Sequence, residues 1–199
     1  IKKDPASPSR IKYGTTGTVA VAHELGVMPV KNFSRGVLEG VEGLMAETMR
    51  ERIVIHDESC FACALPCGKL SLIKEGAYAG TVLQGPQYET IGLLGSNCGI
   101  LDIEVVARAN YLCNGYGMDT ISTGNVIAYA IEAYQKGFLT KRDTDGMEMR
   151  FGDPEVLLSS VDRIAKREGL GHKLAEGVKA FSEELGGEAE KFAMHSKGQ

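Results

Sequence analysis

Apolar residues recur with helical spacing along most of the chain, so that successive ones fall on one face of an α-helix. This pattern predicts helices over residues 15–26, 34–53, 102–113, 122–137, 153–171 and 172–187. Strand signals are weak, and residues 51–57 and 68–76 are the only candidates. We therefore expect a mainly α fold: an irregular multi-helix domain with a cysteine-bearing loop and little strand.

End signals set the bounds of two of these helices. For residues 153–171, Asp153 is a candidate N-cap, Pro154 suits the first helical position and Gly169 suits the C-terminal stop. The predicted buried stripe of this helix is Leu157, Leu158, Val161, Ile164 and Ala165. For residues 34–53, Ser34 is the candidate N-cap, and the predicted apolar face is Val37, Val41, Leu44 and Met45.

Composition narrows the class of protein. The 199 residues are 43% hydrophobic and 24% charged, enough for a real core. The formal net charge of −4 disfavours non-specific nucleic-acid binding, which needs clustered Lys and Arg. There is no apolar run of membrane-spanning length and no signal-peptide segment, so we expect a cytoplasmic protein. The chain does not begin with Met, and we interpret residues 1–13 as a linker and 14–199 as one domain of a longer protein.

Three of the five cysteines are clustered in the stretch SCFACALPCGK, residues 59–69. Cys60, Cys63 and Cys67 follow the spacing C-x2-C-x3-C, which lets a curled loop bring three thiolates to one centre. Structural zinc usually needs a second ligand pair, which is not visible, whereas a [4Fe–4S] cluster often takes three ligands from one loop. The spacing favours iron–sulfur, and zinc or a structural or redox thiol cluster stay open. Cys98 and Cys113 are interpreted as buried packing residues.

Several separated stretches carry a family resemblance. They read CFACALPCGK (60–69), GPQYETIGLLGSNCGI (85–100), NYLCNGYGMDTISTGNVIAYAIE (110–132) and REGLGHKLAEGV (167–178), and residues 14–36 add a fifth. Their order and wording resemble the tungsten-dependent aldehyde:ferredoxin oxidoreductase family. The resemblance implies that this chain is the largely helical middle domain, without the N-terminal pterin-cradling domain and the C-terminal domain.

The resemblance also implies cofactors. Cys60, Cys63 and Cys67 match the family's cluster ligands for [4Fe–4S], with the fourth cysteine outside this chain. A bis-pterin tungsten, or molybdenum, cofactor would be held by a D-x-x-G-L-C/D clasp. The matching residues are Asn114, Gly117, Met118 and Asp119. Asn114 and Met118 depart from the family pattern, and an asparagine brings an acceptor oxygen without a charge.

By the same resemblance, Glu89 faces the metal site as a buried carboxylate that moves protons. The implied reaction oxidises an aldehyde to a carboxylic acid and passes electrons to ferredoxin, and the fragment alone would be inactive. A homo-oligomer is possible, and neither a nucleic acid nor a membrane is an expected partner. Three alternatives stay open: a tungsten subunit of an aromatic acyl-CoA reductase, a zinc-stabilised helical interaction module, and a degenerate family member that keeps the scaffold but has lost the cofactor. Glu89 and Asp119 also suit simple helix-capping roles.

Overall fold

The computed structural model describes residues 4–198. Its α-helices are α1 (Ser7–Tyr13), α2 (Thr18–Glu24), α3 (Ala46–Arg52), α4 (Tyr88–Thr90), α5 (Ile103–Tyr116), α6 (Thr120–Gln135), α7 (Pro154–Lys166), α8 (Leu170–Leu174) and α9 (Gly177–Leu185). The strands β1 (Val54–Glu58), β2 (Gly68–Leu72) and β3 (Val82–Gln84) form one antiparallel sheet in the order β1–β2–β3. The prediction of a mainly α fold with little strand is confirmed.

Helix α6 lies at the centre of the core. Every residue from 123 to 131 is buried, and a helix that is apolar all round needs packing partners on each side. Those partners include α5, α9 and the helical turns that follow α4. Tyr129, in the middle of α6, donates its hydroxyl to the carbonyl of Ala189 at 3.0 Å and packs edge-on against Phe181. Burial raises the pKa of Tyr129 to about 12, so it stays a neutral phenol.

The stretch from Tyr88 to Cys98 is helical throughout but changes its geometry along its length. α4 continues into a π-helical turn (Ile91–Gly95) and then a 3₁₀ turn (Ser96–Cys98). α6 packs very closely against it, since a Cβ at Gly124 would lie 2.5 Å from the carbonyl group of Leu93. This close approach brings the first turn of α4 beside the first turn of α6.

The prediction of one helix over residues 34–53 is wrong. Residues 34–40 are irregular, a 3₁₀ turn follows at Val41–Leu44, and α3 begins only at Ala46. The glycines are the physical reason: Gly40 has a left-handed φ of +81°, and a Cβ at Gly36 would collide with the backbone of a neighbouring loop. Ser34 does not cap a helix, because its hydroxyl donates to the carbonyl of Lys31.

Of the C-terminal helices, α7 begins as predicted, and the bounds of the others differ from the prediction. Asp153 caps α7 by accepting from the backbone N–H groups of Glu155 and Val156 at 3.0 and 3.4 Å. Arg167, with a left-handed φ of +55°, ends the helix before Gly169. Of the predicted stripe, Leu157, Val161 and Ile164 are buried, and Leu158 and Ala165 are half-buried. Residues 172–187 are not one helix, because the chain breaks between α8 and α9 at Gly177, where φ is +86°.

The sheet is a small meander that presents the cysteine loop. β2 falls within the predicted region 68–76, β1 overlaps the predicted region 51–57 and extends one residue beyond it, and the short β3 was not predicted. The pair Glu58–Gly68 closes the β1–β2 hairpin, and a bulge lies between Val54 and His56. Residues 59–67 therefore form the hairpin loop.

Most of the segment interpreted as a linker is structured. Residues 7–13 form α1, and its backbone is bonded to the rest of the molecule. The carbonyl of Ile11 accepts from Lys69 Nζ at 2.8 Å, and the carbonyl of Lys12 accepts from Arg50 at 2.7 Å. Residues 1–3 lie outside the described residues.

Across residues 4–198, no single helix has both the length and the apolar character needed to cross a membrane. The helical segments Tyr88–Cys98 and Ile103–Tyr116 reach that length and apolar character only when taken together, and they are bent by 114° where they meet. Much of that pair belongs to the core, where Ile91, Leu94 and Ile103 are fully buried.

Candidate metal and cofactor site

The three clustered cysteines lie together on the β1–β2 hairpin loop, and none of them forms a disulfide. Cys60 and Cys63 are exposed, and Cys67 is half-buried. The loop turns sharply: the N–H of Cys63 donates to the carbonyl of Cys60 at 3.0 Å, and Ala62 has a left-handed φ of +58°. Three free, accessible thiols are thus presented within a few residues of one another.

A charged network anchors the base of this loop. Lys69, in β2, is buried, and its Nζ lies 3.1 Å from Asp57 Oδ1 of β1. The guanidinium of Arg50, in α3, donates two hydrogen bonds to the same carboxylate, at 2.8 and 3.2 Å. The hydrogen bond from Arg50 is the largest influence that lowers the pKa of Asp57 to about 2. The carboxylate is therefore ionised at neutral pH and ties both strands to α3.

The cysteine loop carries the type of donor atom that a cluster needs, although the three sulfur atoms do not converge on one point in this structure. Within residues 4–198, no group of three or more His, Cys, Asp or Glu side chains is arranged to hold a metal ion. Free thiols on one turning loop are nevertheless the donor set that iron–sulfur clusters use. Cys98 and Cys113 are buried, as expected, and burial raises the pKa of Cys113 to about 12. Both buried side chains therefore remain protonated packing residues.

The residues matched to the pterin clasp form the tight connection between α5 and α6. Gly117 has the left-handed φ of +71° that ends α5, and the N–H of Met118 donates to the carbonyl of Cys113 at 2.8 Å. Asp119 caps α6 by accepting from the N–H of Ser122 at 2.6 Å. Asn114 and Asp119 are exposed, and Met118 is half-buried. The capping role expected for Asp119 is thus present, and its carboxylate faces solvent.

A cleft of about 350 Å³ lies beside this connection. Met118 and Asp119 line one wall, and Arg167, Leu174 and Gly177 belong to the other. Residues 167–178, the motif to which the sequence assigned no role, thus contribute to the lining of the cleft, together with Ile164 and Ala165 of α7. The volume is within the range of small-molecule sites, roughly 300–1,000 Å³.

Glu89 lies in the first turn of α4, and its side chain is exposed in this chain. The expected burial of this carboxylate is therefore not seen within residues 4–198. A negative charge in this position is favourable to the helix. Its neighbour Tyr88 is half-buried, and burial followed by the Glu89 charge raises the pKa of the Tyr88 phenol.

A series of short contacts joins the cysteine loop to α4. A Cβ at Gly14, which has a left-handed φ of +65°, would collide with the carbonyl oxygen of Cys67, so the turn at Gly14 packs directly under the loop. The next residue, Thr15, donates its hydroxyl to Gln87 Oε1 at 2.5 Å and accepts from the N–H of Tyr88 at 3.0 Å. Glu89 follows directly in the chain.

One more contact extends this series to the clasp. The hydroxyl groups of Thr90 and Thr120 are hydrogen-bonded at 2.9 Å, and Asp119 precedes Thr120. The cysteine loop, Glu89 and Asp119 are therefore linked through adjoining residues rather than scattered over the fold. A family model described as "Aldehyde ferredoxin oxidoreductase, domains 2 & 3" matches residues 1–199. The chain belongs to this family.

Relatives agree with the membership in the aldehyde ferredoxin oxidoreductase family. The tungsten-containing aldehyde ferredoxin oxidoreductase of Thermococcus kodakarensis is 38% identical over 188 residues, which are 94% of this chain and 30% of the relative. The corresponding enzyme of Pyrococcus furiosus is 37% identical over the same shares. An "Aliphatic sulfonate oxidoreductase, WOR-like subunit" of Pyrococcus furiosus is 31% identical, over 94% of this chain and 31% of the relative. The chain thus spans about a third of the length of these relatives.

A solved structure has the same fold. The active site complex BamBC of benzoyl coenzyme A reductase, in complex with 1,5-dienoyl-CoA, superposes with a TM-score of 0.71 at 22% sequence identity. The likeness covers 94% of this chain and 27% of that chain. At this identity it shows a shared fold.

Within this aldehyde ferredoxin oxidoreductase domain, several residues around the site were not found from the sequence. Lys69 and Asp57 sit on strands, and nothing in their local sequence indicates that they meet. Thr15 and Thr90 connect segments that are far apart in the chain. The one available signal was the motif of residues 167–178, which had no assigned role and lines the cleft.

Proposed function

We propose that this chain is the cluster-binding and pterin-contacting part of a cytoplasmic, tungsten-dependent oxidoreductase. The full-length enzyme oxidises an aldehyde and a water to a carboxylic acid, releases two protons, and passes two electrons to ferredoxin. The observation that carries the proposal is the placement of three unpaired thiols on one loop that is joined, through Gly14 and Thr15, to the segment bearing Glu89.

The cysteine loop holds a [4Fe–4S] cluster in this proposal. Cys60, Cys63 and Cys67 supply three thiolates, and a cysteine elsewhere in the full-length protein supplies the fourth. The loop's lack of disulfides and its exposed sulfurs support this role. The anchoring of the loop by Lys69 keeps its base fixed while its tip adapts to the cluster.

The cleft beside the clasp receives part of the pterin. Bound there, the tungsten cofactor would supply two-electron chemistry, and a cluster on the cysteine loop would supply one-electron transfer. Asp119 has an exposed carboxylate at the cleft wall that can accept from a pterin N–H, and Met118 packs beside it. Asn114 contributes an uncharged acceptor, which weakens the hold at that position.

Glu89 is the proposed proton acceptor. Its carboxylate takes a proton from water or substrate as the new C–O bond forms, and later returns it to solvent. Its exposure in this chain leaves it open to contact by the rest of the enzyme.

Metal analysis of the full-length protein tests the proposal. Purified without oxygen, it should contain about four iron and four sulfide per chain, together with tungsten, and it should reduce ferredoxin when an aldehyde is added. One zinc and no sulfide would support the interaction module instead. Reduction of an aromatic acyl-CoA ester, with no aldehyde oxidation, would contradict the proposed substrate.

The role of Glu89 has its own test in the full-length enzyme. Glu89→Gln should lower kcat about 100-fold or more, the usual effect of removing a general base, while tungsten and iron contents stay unchanged. Glu75→Gln, which alters another exposed glutamate, should leave kcat unchanged. Equal kcat values for Glu89→Gln and the wild type would contradict the assignment.

A further inference from the structure

A lysine is buried directly under the cysteine loop. Lys69 is only 3% exposed, and lysines are seldom buried unless their charge is paired. Its Nζ donates to the carbonyl oxygens of Pro66 at 3.2 Å and Gly68 at 3.3 Å, the two residues on either side of Cys67. It also donates to the carbonyl of Ile11 in α1 at 2.8 Å. The ammonium group thereby fixes the backbone on both sides of a proposed ligand.

The charges of Lys69, Arg50 and Asp57 do not cancel. Lys69 and Arg50 share the single carboxylate of Asp57, at 3.1 Å and 2.8 Å. The Arg50 hydrogen bond holds the pKa of Asp57 at about 2, so this carboxylate stays negative at neutral pH. Within this network of three residues, two cations and one anion leave one net positive charge.

We propose that Lys69 is a positioning residue for the iron–sulfur cluster: it fixes the carbonyls beside Cys67 and places a cationic side chain next to the loop, which favours the reduced cluster. The inference rests on the proposed function, because it needs a cluster on this loop. Reduction adds an electron to an already anionic cluster, and a cation close by in a poorly solvated place stabilises the added charge. The carbonyl bonds act separately, by keeping the Cys67 backbone in one orientation.

The test is the midpoint potential of the cluster in the full-length holoenzyme, measured by EPR-monitored redox titration. Lys69→Met keeps most of the length of the side chain and removes its charge and donors. It should lower the equilibrium constant for reduction about tenfold, so the midpoint potential of this one-electron couple should fall by about 59 mV. Lys69→Arg keeps the charge, so its midpoint potential should lie close to that of the wild type.

A second variant gives a shift of opposite sign. Asp57→Asn removes the one negative charge of the network and leaves an acceptor oxygen, so it should raise the midpoint potential. A general loosening of the loop would move both variants in the same direction. Shifts of opposite sign therefore separate an electrostatic role from a merely structural one. If Lys69→Met fails to fold, the shift in Asp57→Asn can still be measured, and a rise in its midpoint potential is the expected result.

The matched control is Lys74→Met, which removes an exposed lysine beyond the other end of β2. It should leave the potential and the iron content unchanged. A wild-type potential in Lys69→Met, or shifts of the same sign in Lys69→Met and Asp57→Asn, would overturn the inference. A full-length protein without iron and sulfide would overturn the proposed function as well. A cluster that responds to Lys69→Met in an enzyme inactive on aldehydes would overturn the proposed substrate alone.

Discussion

At the scale of single residues, Asp57 gives the fold a defined dependence on pH. Its pKa in the folded protein is lowered from 3.8 to about 2, so its ionised form stabilises the fold above about pH 4. This contribution is lost as the pH falls from about 4 to about 2. Asp57→Asn should lower the free energy of unfolding at pH 7 by about 1 kcal/mol, allowing for partial solvent screening. Urea unfolding at several pH values measures this.

A surface carboxylate provides the comparison for Asp57. Glu47→Gln changes an exposed residue of the same helix that carries Arg50. Because Arg50 and Asp57 keep their hydrogen bonds in this variant, the loss of stability that Asp57 causes between about pH 4 and pH 2 should remain. If Asp57→Asn showed the wild-type slope over that range, the ion pair with Arg50 would contribute nothing to stability.

Single residues also show what the sequence can reveal. The cysteines stand out because their spacing is local, and the acidic cap of α7 can be found for the same reason. Lys69 cannot be found this way, since its burial depends on α1 and on β1, which meet it only in the folded chain. The capping role of Asp119 follows from its sequence, whereas its place beside residues 167–178 follows from the packing of α7 and α8.

At the scale of elements, the contact between α6 and the π-helical turn leaves no room for a methyl group. Gly124→Ala would place a Cβ 2.5 Å from the carbonyl group of Leu93, so the backbones must move apart. We expect a loss of about 3 kcal/mol in the free energy of unfolding, as for other overpacked cores. Gly115→Ala in α5 meets nothing within 4 Å and should gain about 0.5–1 kcal/mol from helix propensity. Thermal and urea unfolding measures the stability of both variants. Equal free energies of unfolding for Gly124→Ala and Gly115→Ala would contradict the close packing.

The two capping residues Asp119 and Asp153 allow a structural role to be distinguished from a role in cofactor binding. Asp119 and Asp153 accept the same kind of bond, from Ser122 N–H at 2.6 Å and Glu155 N–H at 3.0 Å. Replacing either with Ala should cost about 1 kcal/mol of stability. In the full-length enzyme, only Asp119→Ala should also lower the tungsten and pterin content, because only Asp119 lines the cleft. Equal tungsten losses in the two variants would show that stability, rather than contact, determines cofactor retention.

The elements that the sequence predicted well are those with local signals at their ends. α5 and α7 have capping aspartates before them, and a glycine with positive φ ends α5. The failed prediction over residues 34–53 followed apolar spacing and a candidate cap at Ser34, although glycines in that stretch serve close backbone contacts instead of a helix. The change from α to π to 3₁₀ geometry after α4 likewise has no local signal, since it accompanies the approach of α6.

At the scale of the whole molecule, the site is assembled from segments distant in sequence. The turn at Gly14 supports the cysteine loop, Thr15 connects to α4, and the Thr90–Thr120 bond connects α4 to the start of α6. Each connection is a direct contact, so a shift of α4 would move Glu89 relative to both segments that we propose to bind cofactors. This explains why the site could be guessed from motifs but not positioned by them.

The cluster-binding capacity of this chain can be measured on the 199 residues alone. Reconstituted with iron and sulfide in the absence of oxygen, the chain should bind less than one cluster, because it supplies three of the four thiolates. An excess of a small thiol should raise the iron content by providing the fourth ligand. Cys63→Ser should abolish that gain. Cys113→Ala should not, since burial raises the pKa of Cys113 to about 12 and keeps it protonated. If Cys63→Ser bound as much iron as the wild type, the cysteine loop would not be the cluster site.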